Sequence, residues 1–252
     1  MIGFALTGGG ARGISHLGVI KAFEEFDLFP HVLAGTSAGA IVGSLYCSGY
    51  SPDSILDIIK KTKLLSVFKP SFSWKGLLSI EILGNLLTNH LPDSFEDLDR
   101  PFYATATEIK AGKTMYFSSG PLVKAIMASA CIPVIFQPVQ IDGKMYVDGG
   151  ILNNLPAEAI RDKVNTLVGI SCNPGGYQPD LTNIKALMER SALLAINGNT
   201  LVSRKLCDIF LEPPRLSRFS GFSLSHADEI FKAGYGYALR ELPALLEKLN
   251  VQ

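Results

Sequence analysis

Gly35-Thr36-Ser37-Ala38-Gly39 is the stretch that decides the fold of this chain. It follows an apolar run at 32–34 and leads into a run of small, helix-forming residues. A serine between two glycines, where a strand turns sharply into a helix, is the G-x-S-x-G nucleophile elbow. The turn exposes the hydroxyl at the N-terminus of the helix, where the helix dipole and free N–H groups favour developing negative charge. We therefore expect Ser37 to be a nucleophile, with Gly35 and Gly39 as the glycines that the turn requires.

A second glycine-rich stretch lies between a predicted strand at 2–6 and a predicted helix at 14–27. It reads Gly8-Gly9-Gly10-Ala11-Arg12-Gly13 and matches G-x-G-x-x-G, which by itself suggests a dinucleotide site. That site also needs an acidic residue roughly 20 positions later, and none occurs between Leu28 and Pro52. A purely structural turn is a further alternative. The interpretation that we favour is an oxyanion hole, in which successive glycine N–H groups form a donor site beside the positive charge of Arg12.

The serine needs a base, and the choice lies between a histidine and an aspartate. The histidines are His16, His31, His90 and His226. Only His226 comes late, as an α/β-hydrolase triad requires, but its surroundings are typical of a helix start, and the elbow comes too early for that fold. Asp148 ends a predicted strand and precedes Gly149 and Gly150, which expose its side chain. Asp148 is the better candidate, although a solvated Asp-Gly turn has the same pattern.

The order of predicted strands and helices indicates one α/β domain that covers residues 1–252. Further strands are predicted at 102–108, 114–118, 139–141, 145–147, 166–172 and 207–211, and further helices at 38–48, from 51, and at 77–88, 122–130, 154–162, 181–205 and 226–249. The continuous apolar run at 166–172 is typical of a parallel strand that is covered on both faces. We therefore predict a three-layer α/β/α sandwich with a mostly parallel central sheet.

Composition narrows the classes of function. The chain has 252 residues, 47% of them hydrophobic, and a formal net charge of zero, which argues against a nucleic-acid partner. None of the four cysteines forms a C-x-x-C pair, and no His or Cys has metal-ligand spacing, so neither a metal nor a cofactor is expected. The first strand begins at Ile2 and no apolar run reaches membrane-spanning length, so we expect a cytoplasmic protein without a signal peptide.

These motifs together resemble the patatin-like phospholipases. The resemblance rests on residues 8–13, 35–39 and 148–150, in that order. Ala128-Ser129-Ala130-Cys131-Ile132-Pro133 and Asn153-Asn154-Leu155-Pro156 reinforce it, so that the landmarks span residues 2 to about 172. The family also has Asp-Gly-Ala where this chain has Asp-Gly-Gly.

The resemblance implies a patatin-like fold and a Ser–Asp dyad, with Ser37 as nucleophile and Asp148 as its partner. It also implies an oxyanion hole formed by Gly9, Gly10 and neighbouring N–H groups beside Arg12, and acyl esters of lipids as the substrate class. An ordinary aspartate has a pKa near 3.9 and is a weak base at neutral pH. The dyad therefore requires either a dry site that raises this pKa or an oxyanion hole that supplies most of the catalysis. An acyltransferase that uses the same acyl-enzyme, and a regulatory protein with little turnover, remain alternatives.

A basic segment at 60–75 suggests a membrane contact. Between Ile58 and Ile80 the chain carries Lys60, Lys61, Lys63, Lys69, Lys75, Phe68, Phe72 and Trp74, and no acidic residue. Basic residues interleaved with aromatics suit an anionic membrane surface or a lid over an acyl groove, which makes the protein peripheral at the membrane. The alternative is a solvated helix face and a loop whose aromatics reach the core. The oligomeric state is not readable from the sequence.

Overall fold

The computed structural model of the chain describes residues 1–62, 80–133, 135–175, 184–221 and 224–249. Its strands are β1 Ile2–Leu6, β2 Val32–Thr36, β3 Phe102–Glu108, β4 Lys113–Phe117, β5 Val139–Ile141, β6 Lys144–Asp148, β7 Thr166–Ile170 and β8 Ile209–Leu211. Its α-helices are α1 Ser15–Glu24, α2 Ala38–Cys47, α3 Pro52–Thr62, α4 Glu81–Leu87, α5 Leu122–Ser129, α6 Ile184–Ser203 and α7 Ala227–Leu249. Each predicted strand is present, and boundaries differ by a few residues.

All eight strands join one sheet. Its order is β5-β6-β3-β2-β1-β7-β8, and β4 also pairs with β3. The five strands from β3 to β8 in this order run parallel, whereas β4, β5 and β6 add antiparallel pairs at one side. The prediction of a mostly parallel central sheet is confirmed.

Alternating side chains of the central strands enter two separate apolar cores. In β1, Phe4 and Leu6 belong to the large core that the helices form, and Ala5 faces a smaller core on the other side of the sheet. This period of two is what a strand imposes on a buried sheet. The two covered faces confirm the α/β sandwich.

The helix predicted at 154–162 is wrong. The chain there forms two short 3-10 turns, Ala157–Ala159 and Arg161–Lys163. Ala157 and Ile160 are both buried in the small core. Residues three apart eclipse each other on a 3-10 turn, so this spacing covers the sheet without a full α-helix.

The elbow depends on close backbone packing around β2. A Cβ atom added to Gly39 would lie 2.5 Å from the carbonyl oxygen of Leu6 and 2.7 Å from that of Thr7. A Cβ atom on Gly35 would lie 2.4 Å from the Gly39 carbonyl oxygen. Backbone atoms cannot give way at such distances, so α2 can start this close to β1 and β2 only with glycine at both positions.

Two strands meet end to end along one edge of β3. On this edge, Ala104 and Thr105 pair with β2, and the residues from Ala106 onward pair with β6. The other edge of β3 pairs with β4 throughout this stretch. Thr36 pairs with Thr105, and Asp148 pairs with the next residue, Ala106. Because β2 runs parallel to β3 and β6 antiparallel, their carboxyl ends point at each other. The sheet therefore brings the residue after β2 against the last residue of β6.

Candidate active site

Ser37 occupies a strained position at the meeting point of β2 and β6. Its φ of 54° and ψ of −118° are unusual for a residue with a side chain, and its carbonyl oxygen accepts the N–H groups of Ala40 and Ile41 in the first turn of α2. Only 6% of the residue is exposed. This is the nucleophile-elbow geometry that the sequence predicts, with the hydroxyl at the start of a buried helix.

Asp148 faces the Ser37 hydroxyl in a dry environment. The residue is 8% exposed, and one carboxylate oxygen accepts the N–H of Gly150 at 2.8 Å. Burial raises the pKa of Asp148 to about 6, and hydrogen bonding from the Ser37 hydroxyl and the Gly150 N–H limits that rise. The carboxylate is thus still ionised at neutral pH but is a stronger base than an ordinary aspartate.

The last residue of α5 and the turn that follows hold both of these residues through their backbones. The Ser129 hydroxyl oxygen accepts the N–H of Ser37 at 2.9 Å. Two residues later, the Cys131 carbonyl oxygen accepts the N–H of Asp148 at 2.8 Å. These two hydrogen bonds give a physical reason for finding the motif at 128–133 together with the elbow and the aspartate in one sequence.

Three side chains fix the peptide group between Gly8 and Gly9. The Gly8 carbonyl oxygen accepts Asn173 Nδ2 at 2.5 Å, and Cys172 Sγ and Asn154 Nδ2 each lie 3.4 Å away. The Gly8 N–H donates to Asn154 Oδ1 at 3.0 Å. Because a trans peptide is planar, its N–H points opposite to its carbonyl. The clamp therefore turns the Gly9 N–H away from the Asn173 amide, and Gly9 itself lines the cavity that contains Ser37.

The rest of the glycine loop packs against Gly221. The Ala11 N–H donates to the Gly221 carbonyl oxygen at 2.7 Å, so it is engaged within the protein. Gly10 has a φ of 58°, and a Cβ atom there would lie 2.2 Å from the same oxygen. Within the part of the chain that the structure describes, the N–H groups of Gly9 and Gly10 meet no acceptor. Gly9 and Gly10 both line the same cavity as Ser37.

A cavity of about 230 Å³ lies over these groups. It is lined by Gly8, Gly9, Gly10, Arg12, Ser37, Ile132, Pro133, Asp148, Gly150, Ile151, Asn154, Leu193, Ala195, Ile196 and Gly221. Ser37, Asp148, the glycine loop and the buried Arg12 all line this cavity, and aliphatic side chains form much of the remainder. Ala11 and Gly13, both predicted members of the loop, are buried beneath it and do not line the cavity. Gly149 packs under the Asp148 turn, where an added Cβ would lie 2.3 Å from the Thr105 carbonyl oxygen.

Among the described residues, no histidine lines this cavity. His226 is exposed and its Nδ1 pairs with Glu229 at 2.7 Å, so it does not support a triad. His16 is buried against the Thr7 carbonyl oxygen at 2.8 Å, and burial lowers its pKa to about 4, which keeps it neutral. No group of His, Cys, Asp or Glu that could hold a metal ion occurs within the ranges described.

Most of the basic segment at 60–75 lies outside the described residues. Of its lysines, Lys60 and Lys61 lie in the last turn of α3, and Lys60 forms an ion pair with Asp228 at 2.8 Å. The aromatic residues of the segment, Phe68, Phe72 and Trp74, belong to the part that is not described. None of the described helices is long and apolar enough to cross a bilayer.

Sequence reasoning missed several residues around the site. Asn173 lies three residues after the end of β7, and a polar residue at the carboxyl end of a parallel strand is a signal that could have found it. Asn199 on α6 has no such signal; its Nδ2 donates to the Gly150 carbonyl at 2.8 Å, and its Oδ1 accepts the Asn154 N–H at 2.9 Å. Gly221 was equally hidden, because only the folded chain brings it to Gly10.

The described residues thus place an elbow serine against a buried aspartate, beside a glycine loop at the carboxyl ends of parallel strands. The model of one family, the patatin-like phospholipases, matches residues 4–161. The chain belongs to the patatin-like phospholipase family.

Relatives extend this similarity. An NTE family protein of Mycobacterium tuberculosis is 36% identical over 162 residues, which cover 63% of this chain and 45% of that protein. The lysophospholipase NTE1 of Meyerozyma guilliermondii is 26% identical over 275 residues, covering 94% of this chain and 19% of that protein. The chain thus spans less than half the length of these two relatives.

Solved structures share the fold. VipD from Legionella pneumophila superposes with a TM-score of 0.54 at 15% identity, over 96% of this chain and 66% of that chain. ExoU, in its complex with SpcU from Pseudomonas aeruginosa, superposes with a TM-score of 0.53 at 15% identity, over 98% of this chain and 51% of that chain.

Replacing Asp148 by Asn should stabilise the protein at pH 8. The pKa of Asp148 is about 6 in the folded protein, against 3.8 for an ordinary aspartate in the unfolded chain. This difference stabilises the folded state below about pH 4, and the stabilisation is lost as the pH rises through 6. The neutral amide avoids that loss, so we expect the free energy of unfolding in urea to rise by up to about 3 kcal/mol at pH 8. The difference from the wild type should shrink as the pH approaches 4.

Asp208→Asn is the control for this experiment. Burial opposes ionisation of Asp208, but hydrogen bonds from Arg161 and the Leu167 N–H lower its pKa, so its loss should destabilise the protein at pH 8. If Asp148→Asn is no more stable than the wild type at pH 8, the Asp148 carboxylate is not penalised by burial.

Asn173→Ala should slow ester hydrolysis by releasing the Gly8 peptide. A misplaced donor costs transition-state binding, so we expect kcat to fall about 10- to 100-fold with KM little changed, as measured with a short soluble ester. Asn165→Ala, before the opposite end of β7, should leave both constants at their wild-type values. A rise in KM at constant kcat would contradict a positioning role for Asn173. A fall in kcat that is explained by a lower melting temperature would contradict it as well.

Proposed function

We propose that this chain is a serine acyl-ester hydrolase that acts on lipid esters, with Ser37 as nucleophile and Asp148 as its proton acceptor. The observation that carries the proposal is the end-to-end meeting of β2 and β6 on β3, which sets a strained serine against a buried carboxylate of raised pKa. Perturbed carboxylates beside a nucleophile in a cavity favour catalysis over a purely structural turn.

The chemistry requires only these two side chains and water. Ser37 Oγ attacks the carbonyl carbon of the ester, and its proton passes to the Asp148 carboxylate. The tetrahedral intermediate then breaks its bond to the alcohol oxygen, which takes the proton from Asp148 and leaves. Water attacks the acyl-Ser37 ester, again giving its proton to Asp148. Collapse of the second intermediate releases the fatty acid and returns the proton to Ser37.

Stabilisation of the oxyanion is proposed to be the larger contribution to rate. The N–H groups of Gly9 and Gly10 would donate to the oxyanion, and the positive end of α2 and the buried Arg12 guanidinium add favourable potential. One such donor is typically worth about 10²–10³ in rate.

The lining of the cavity favours an acyl chain as the part of the substrate that binds next to Ser37 and Asp148. Ile132, Leu193 and Ile196 offer aliphatic contacts in the same cavity as Ser37 and Asp148, and a few polar groups in an apolar pocket orient a ligand. The four cysteines carry free thiols, which suits a reducing compartment and supports a cytoplasmic location as part of the proposal.

Labelling with a fluorophosphonate probe, followed by peptide mass spectrometry, tests the proposal. The probe should attach to Ser37, and Ser37→Ala should abolish both labelling and hydrolysis across a panel of lipid esters. His226→Ala is the matched control and should label and turn over like the wild type. A labelled Ser37→Ala variant would place the nucleophile elsewhere, and a loss of labelling in His226→Ala would restore the triad.

A further inference from the structure

Exposed apolar side chains are concentrated along α6 and on the turn after Asp148. Of the twelve large apolar side chains that the described residues expose, six lie on these two elements. They are Ile151, Leu152, Leu187, Leu194, Leu201 and Val202, and we call them the α6 surface. Single exposed apolar side chains are ordinary, but a contiguous group marks a surface that contacts an apolar partner.

The leucines of α6 lie on one face of the helix. Leu187, Leu194 and Leu201 are 52%, 55% and 59% exposed and follow one another at intervals of seven residues, which is close to two helical turns. The opposite face is buried and carries Leu193, and also Thr200 and Ser203, whose hydroxyls bond to neighbouring groups. The core therefore already occupies one face of α6 and leaves the leucine face without a partner among the described residues.

The same helix forms a wall of the cavity, through Leu193 and Ile196. Asn199 ties it to the turn after Asp148, because its Nδ2 donates to the carbonyls of Gly150 and Ile151. Ile151 both lines the cavity and is exposed. The α6 surface is therefore continuous with the cavity rather than a separate patch.

We propose that the α6 surface docks the protein on a lipid aggregate, so that an acyl chain passes from the aggregate into the cavity without crossing water. The choice of a lipid aggregate as the partner rests on the substrate class of the proposed function. An ester with a long acyl chain resides in a bilayer or micelle and must leave it to reach the cavity. This surface is distinct in sequence from the basic segment at 60–75.

The test compares two double variants of the full chain. Leu194→Gln with Leu201→Gln removes apolar surface outside the cavity, and Phe26→Gln with Phe29→Gln is the matched control at the opposite end of the parallel strands. Each is made in wild type for turnover and in Ser37→Ala for binding. The assays are sedimentation with phosphatidylcholine vesicles, with and without phosphatidylserine, and hydrolysis of a short soluble ester.

The leucine variant should bind both kinds of vesicle at least about tenfold more weakly and hydrolyse vesicle lipid correspondingly more slowly. Its turnover of the soluble ester and its melting temperature should match the wild type, and the phenylalanine variant should match in every assay. Unchanged vesicle binding would overturn the proposal. A wild-type dimer that the leucine variant converts to monomer, with no change in vesicle binding, would assign the surface to a second copy. Because binding is measured without turnover, failure of the hydrolase proposal would appear separately, as no reaction with any ester.

Discussion

The site depends on how one edge of β3 is shared. β2 occupies the first part of that edge and β6 the second part, in opposite directions, so that Thr36 and Asp148 pair with successive residues of β3. Ladder hydrogen bonds fix this register, and a slip of one residue would turn the side chains to the other face of the sheet. Ser37 and Asp148 are thus placed by the backbone, and the turn that contains Ser129 and Cys131 adds one hydrogen bond to each.

Dryness follows from this placement and has two opposing effects. It raises the pKa of Asp148 and so makes the carboxylate a better base, and it would strengthen the hydrogen bonds of the proposed oxyanion hole. It also makes the ionised carboxylate unfavourable for folding at neutral pH. Stability is lost where a reactive group is needed, which is common at functional sites. The hydrogen bond from the Gly150 N–H holds the Asp148 carboxylate in place. Asn154 and Asn173 hold the glycine loop in place in the same way.

The sequence predicted the sheet, the elbow and the two residues that the sheet brings together, because each depends on local patterns: apolar runs, glycine spacing and an aspartate at a strand end. The helix predicted at 154–162 failed because its apolar spacing also fits 3-10 turns that cover the sheet. The contacts of Gly221 with the glycine loop and of Asn199 with the Asp148 turn could not be predicted, since each joins segments far apart in the chain. Asn173 could have been predicted, because it is a polar residue that follows Ser171 and Cys172 just beyond the end of β7.

The rate of fluorophosphonate labelling of Ser37 as a function of pH tests most directly whether Asp148 is the base. In the wild type the rate should fall below a single ionisation near pH 6, the pKa that burial gives Asp148. In Asp148→Asn the residual labelling should be slow and should lose this ionisation. An inflection near pH 6 that persists in Asp148→Asn, or one that disappears in His226→Ala, would contradict the assignment of Asp148 as the proton acceptor.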